Sequence, residues 1–402
     1  MVSKQIRESE NLPEKLIVIL ARAWVDQPYA DKNGSHIRYF WYGFFNASAT
    51  GCAMFSSIPA AIPRGKTGFL VVLFSLLLVG SILISLSMGY MKIPIQEIPT
   101  ILLGKLIGDG HDPSSMRATF ETVLVDIRLP RILTCAAVGA ALAVSGVLFQ
   151  GILLNPLADP YTLGVSAGAA FGASIAIVLN LSATLVSVPG FAFAGACATL
   201  FFVLFLSYSP GSPGGGLSSS NLILSGIIVA AILSAGLSFL KFIADEQVSV
   251  IIFWLMGSFA SKTWPQFLLV TGALLWGFLM AVFYARDLNL VSMGDRSAAS
   301  LGVDVKKVTL ILLVTGSMLA AVCVSISGII GFVGLLVPHM MRFLTGPDNR
   351  KLLPVSMLSG AVLLLWADTI TRAVLPHEIP IGVLTALIGG PVFCWIFKKS
   401  RM

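Results

Sequence analysis

Apolar residues in this chain do not alternate with polar ones; they come in long blocks. Thr67–Tyr90 holds 24 consecutive uncharged residues, more than the roughly 20 a helix needs to cross a bilayer. Arg131 opens a second block, Ile132–Leu154, and no charged residue occurs between Pro160 and Leu240. That stretch accommodates three helices, with breaks predicted at Val188-Pro189-Gly190 and between Pro210 and Gly216. Gln266–Tyr284, Val308–Ile326, a shorter Ile330–Phe343, Leu352–Ala367 and Ile381–Phe397 follow. The pattern predicts an all-α polytopic membrane protein with about ten transmembrane helices.

Residues 1–66 read differently. They carry eight Lys or Arg and a polar start, then an uncharged aromatic stretch from Tyr39 to Pro63. The Gly, Asn, Ser and Pro content of that stretch disfavours insertion, and the order of a cleavable signal peptide is missing. We expect 1–66 to be a cytoplasmic or interfacial extension and 67–402 the transmembrane domain.

Composition narrows the function. Of 402 residues 56% are hydrophobic and 11% charged, far from the soluble norm of about a quarter charged. The net charge of +7 comes from cations spread between apolar spans, which argues against nucleic acid. With an inside N-terminus, the tail and inward loops hold 18 of the 26 basic residues, placing both termini in the cytoplasm. Excluding the extension leaves ten against eight. Cys52, Cys135, Cys197, Cys323 and Cys394 lack metal-ligand spacing, and His36, His111, His339 and His377 are scattered, so neither a metal site nor a catalytic triad is expected. Met256, Met293, Met340 and Met341 suit gap-filling in a bundle better than a soft-metal path. Arg64-Gly65-Lys66-Thr67 imitates the end of a phosphate loop, but Ala60 stands at its first glycine position and an apolar span follows.

A motif series is more specific. Arg128-Leu129-Pro130-Arg131 is followed by Gly139-Ala140-Ala141-Leu142, Ser145-Gly146, Gln150 and Asn155-Pro156-Leu157-Ala158-Asp159-Pro160. Trp254-Leu255-Met256-Gly257-Ser258, Leu301-Gly302-Val303, the run Gly328–Leu335 with Val337-Pro338-His339, Glu378–Val383 and Gly389–Phe393 continue it. Over about residues 67–402 the chain resembles the permease subunits of ATP-binding-cassette importers for iron siderophores, haem and vitamin B12, the FecCD-type family.

The resemblance implies a ten-helix subunit with an inverted repeat relating spans two to five and seven to ten. It further implies a second permease copy as homodimer, two copies of a cytoplasmic ATPase that bind ATP and Mg, and a periplasmic or lipid-anchored substrate-binding protein. The chain itself would hold no cofactor and catalyse nothing, and would sit in the inner membrane of a bacterium or archaeon. Arg128, Arg131 and Arg372 match docking arginines for the binding protein. Local pairing, Arg128 with Asp126 and Arg372 with Asp368, is the simpler alternative. Asn155, Leu157, Ser219 and Ser220 match a cytoplasmic gate, though Asn-Pro and Ser-rich stretches also reverse chains. Asp295, Arg296, Ser300, Leu301, Gly302 and Val303, in the loop Asn289–Lys307, match the segment that couples to the ATPase. The rival expectation is an ion-coupled secondary transporter, for which Asp368 is the candidate proton carrier.

A short echo, Ser145-Gly146 before Pro156 and Ser327-Gly328 before Pro338, fits only a parallel repeat and reads as chance similarity.

Overall fold

The computed structural model describes residues 67–89, 91, 93, 98–101, 116–181, 187–208, 218–373 and 378–399, all within one compact unit, Pro63–Met402. The extension 1–66 and the expected break between Pro210 and Gly216 lie outside the described residues.

The described chain is helical. In order, the helices are α1 (Thr67–Ser87), α2 (Met116–Thr122), α3 (Leu129–Ile152), α4 (Val165–Val178), α5 (Ser187–Ser207), α6 (Ser219–Ile243) and α7 (Val248–Leu255). They continue with α8 (Trp264–Phe283), α9 (Ala285–Val291), α10 (Asp295–Ser300), α11 (Val305–Ser327), α12 (Val333–Thr345), α13 (Asn349–Ala373) and α14 (Ile381–Lys399). Seven of these are long and apolar enough to cross a membrane, and α4, α12 and α14 are shorter apolar helices. Together they account for the ten predicted spans, so the protein is a multi-pass membrane protein.

Three local differences from the predicted pattern have physical causes. The break expected at Val188-Pro189-Gly190 falls earlier, after Val178, and Pro189 sits in the first turn of α5, where a missing N–H costs nothing. A π-helical segment, Val123–Arg128, joins α2 to α3, so the second span begins earlier than Ile132. The short helix α7 lies where only a motif was recognised.

Packing follows residue size. α3 is rich in Ala, Gly and Ser and is 94% buried over its most apolar window, against 17% for α8. It contacts α13, α8, α11 and α12. A Cβ on Gly139 would strike the Gly360 carbonyl of α13, and one on Gly146 the Gly334 carbonyl of α12. Without those side chains the helix backbones meet directly, the usual basis of helix association in lipid. Large side chains such as Phe242, Phe283 and Leu279 sit instead on exposed faces of α6 and α8, as a lipid-facing surface requires.

The helices that open the two implied halves, α3 and α11, pack antiparallel. Ser145 Oγ donates to the Gly316 carbonyl at 2.7 Å, while Cys323 lies nearer the start of α3 against the Val138 carbonyl at 3.9 Å. Each is followed by an irregular link ending in a left-handed residue, Gly164 (φ 76°) or Phe332 (φ 68°), that precedes a short helix. This correspondence agrees with an inverted relation. The sequence echo does not: Ser145-Gly146 is mid-helix, whereas Gly328 caps the end of α11.

Candidate functional site

Two clusters lie at opposite ends of the bundle. The first forms where α1 ends. The last carbonyls of a helix lack intrahelical donors, and here two arginines supply them. Arg128 donates Nη1 to the Leu86 carbonyl at 2.6 Å and Nη2 to the Met91 carbonyl. Arg372 donates Nη1 to the Met88 carbonyl at 2.6 Å and Nη2 to the Ser85 carbonyl at 2.9 Å and hydroxyl at 3.0 Å. Cations at a helix C-terminus also complement its dipole.

Arg131, one turn beyond Arg128, turns to α13. Its Nη2 meets Asp368 Oδ1 at 2.9 Å, and its Nη1 meets Glu378 Oε1 at 3.2 Å. Arg372 Nε stands 3.9 Å from Asp368 Oδ2. Three cations against two carboxylates leave one positive charge in excess.

The three arginines singled out from sequence are therefore brought together, but their donors point inward. Arg128 is 6% exposed, and the side chains of Arg131 and Arg372 12% and 8%. Asp126 is exposed, while Arg128 gives its donors to backbone carbonyls, and the nearer of the two cations on Asp368 is Arg131 rather than Arg372. Sequence reasoning missed Glu378 as a member. Its signal was present, since a charge in a sparsely charged chain needs a partner, but only the fold could supply Arg131.

At the opposite end, α3 stops at Ile152 and the chain turns through Leu154 in the left-handed region (φ 51°). Asn155 Oδ1 accepts from the Leu157 N–H at 2.9 Å, an Asx turn that leaves Leu157 half-buried. Ser219 Oγ donates to the Ile152 carbonyl at 3.3 Å, and Ser218 caps α6 through the Asn221 N–H at 3.1 Å. Ser220 is exposed.

The segment Asn289–Lys307 forms the end of α9, then α10, then the start of α11. Gly294 (φ 105°) and Gly302 (φ 85°) flank α10, making the two reversals L-side chains resist. Ala298 is fully buried, while Leu301 and Met293 are 64% and 70% exposed. Asp304 caps α11 by accepting from the Lys307 N–H at 3.1 Å. Asn289 ties α9 to the start of α13, donating to Asp348 Oδ1 at 2.8 Å and accepting from the Asn349 N–H at 2.9 Å.

One crevice joins the two predicted groups: Ile152, Ser219 and Leu222 line it together with Asp295, Val305 and Lys306. Residues 76–399 match the FecCD transport family. The chain belongs to the FecCD transport family.

FecCD relatives differ in what they are named for. The hemin transport system permease protein of Yersinia pestis is 38% identical over 84% of this chain and 97% of its own length. The cobalamin import system permease protein of Halobacterium salinarum is 41% identical over 71% and 75%. The Fe(3+) dicitrate transport system permease protein of Escherichia coli is 37% identical over 83% and 99%. A solved structure, described as an inward-facing conformation of an ABC transporter of metal-chelate type, superposes with a TM-score of 0.72 at 35% identity, covering 83% of this chain and 99% of that one. A FecCD chain is a transport permease, and the two clusters are read in that light.

Proposed function

We propose that the chain is the permease subunit of an ATP-binding-cassette importer that carries an iron chelate, haem or a corrinoid from a binding protein across the inner membrane. The observation that carries this reading is the crevice that Ser219, at the start of α6, and Asp295 of α10 line together. A movement imposed on α9 and α10 from outside the bundle would change the crevice beside the candidate gate. The named relatives for hemin, cobalamin and Fe(3+) dicitrate favour a bulky chelate. A path lined by small and apolar residues of α6 and its neighbours, between two permease copies, suits such cargo because weak contacts let it leave.

In this reading the arginine end faces the binding protein and both termini are cytoplasmic. Two ATPase copies engage Asp295, Arg296, Ser300, Leu301, Gly302 and Val303, and they hold ATP and Mg. Asn155, Leu157, Ser219 and Ser220 form the constriction on the cytoplasmic side.

Reconstitution tests the reading. Proteoliposomes holding this chain with its ATPase and binding protein are expected to accumulate chelate only with ATP inside the ATPase compartment. Uptake by the chain alone, driven by a proton or sodium gradient, would establish the ion-coupled carrier instead.

A further inference from the structure

Beside the arginine end lies a cavity of about 360 Å³ that neither the arginine cluster nor the crevice uses. It sits between the ends of α4 and α11, the starts of α5 and α8, and the short helix α7. Lys262, in the link from α7 to α8, is the one charged residue among its described lining. Its ammonium donates to the Ile326 carbonyl at 2.7 Å, which leaves two of its three donors for another partner.

Two amides flank the lysine. Gln266 closes a capping box, accepting from the Thr263 N–H at 3.2 Å, so its amide nitrogen remains a donor. Gln247 donates to Asn180 Oδ1 at 2.9 Å, and its own Oε1 is buried without a partner. The remaining wall is apolar and aromatic, with Trp254, Phe253 and Val188 on it. Phe253 is largely exposed on its other side, so the cavity adjoins the apolar surface of the bundle.

We propose that this cavity binds the oxyanion head of an amphiphile, a carboxylate or phosphate held by Lys262 and Gln266, with a hydroxyl of the ligand on Gln247 Oε1 and its apolar part against Trp254 and Phe253. A cationic donor, a polar amide pair and an apolar wall converging in one concave site are what such a ligand requires, and basic recesses at membrane depth suit anionic headgroups. A free amphiphilic carboxylate and a lipid phosphate present the same chemistry. The site stands on its own geometry, independent of the transport reading.

The surrounding charges give the site a pH dependence. Burial and the field of Arg131 lower the Lys262 pKa to about 8. The carboxylates Asp368 and Glu378 are engaged with Arg131, and Asp245 and Glu246, on the turn that carries Gln247, are exposed. Below pH 8 the lysine is charged and holds the anion; above it the charge is lost.

Calorimetric titration of the full chain in maltoside detergent micelles, which carry neither phosphate nor carboxylate, tests this. Saturable one-to-one binding of hexanoate at pH 7 is expected, tighter than acetate. A charged fraction falling through a pKa of about 8 weakens binding about thirty-fold by pH 9.5. Lys262→Gln should lose binding at both pH values, and Lys262→Arg should keep it at pH 9.5. No saturable binding, equal affinity in Lys262→Gln, acetate matching hexanoate, or an Arg variant with the wild-type pH profile would each overturn the site. Micelles doped with phosphatidylglycerol distinguish the source: competition with hexanoate assigns the site to lipid, and its absence to a soluble anion, each with the site intact.

Discussion

Asp368 is 1% exposed, with Arg131 2.9 Å from its Oδ1 and Arg372 3.9 Å from its Oδ2. A carboxylate so placed is tolerable only while a cation neutralises it. Replacing Arg131 by Met leaves Asp368 only the longer pairing with Arg372 at 3.9 Å, so the cost approaches, from below, the ~3–5 kcal/mol of breaking one side of a buried pair. Arg131→Met is therefore expected to lower the thermal midpoint of the purified chain sharply. Arg131→Met with Asp368→Asn removes both charges and should recover most of the loss. A double variant no more stable than the single would show that Arg131 acts through packing rather than charge. A proton-carrying Asp368 would instead tie transport, not stability, to the carboxylate. The pair joins residues 237 apart, which is why sequence offered only the neighbour one turn away. Charge at a span end was legible; its partner across two helices was not.

The spans themselves were legible because lipid demands a run of apolar residues whatever the neighbours are. The short helices were not, since eight residues such as Val248–Leu255 carry too little pattern to separate helix from loop. The pair α9 and α10 lies between these cases. The link Asn289–Lys307 was singled out with its Leu301-Gly302-Val303 motif, whereas the reversal at Gly294 became visible only in the fold. What sequence lacked was the crevice that Asp295 of α10 and Ser219 line together. At this scale the coupling reading is tested by Leu301→Asp. Leu301 is 64% exposed, so the substitution leaves the bundle's packing alone. An apolar anchor at a partner interface is worth at least ~2 kcal/mol, so ATPase affinity should fall on the order of tenfold or more, with uptake lost in parallel. Normal ATPase binding by a folded Leu301→Asp chain would remove α10 from the coupling contact.

The described residues gather their charged chemistry at two ends of the bundle, with a middle of mostly small and apolar side chains. The arginine end holds one positive charge in excess, but Arg128 and Arg372 are committed to closing α1. Reversing all three arginines would therefore confound docking with folding. Glu378 offers a cleaner handle, because it is 54% exposed and takes one donor of Arg131 at 3.2 Å. Glu378→Gln releases that donor and doubles the excess charge without stranding a buried group. If carboxylates of a binding protein dock here, its association rate should rise in the variant at low salt. The gain should vanish as ionic strength approaches about 1 M, where the Debye length falls to about 3 Å. Surface plasmon resonance on nanodiscs against the cognate binding protein measures both. An unchanged rate at low salt would mean that the cluster closes the end of α1 and docking lies elsewhere. A slower rate would mean that Glu378 itself faces a cation of the partner, and the sign of the docking field would then be reversed.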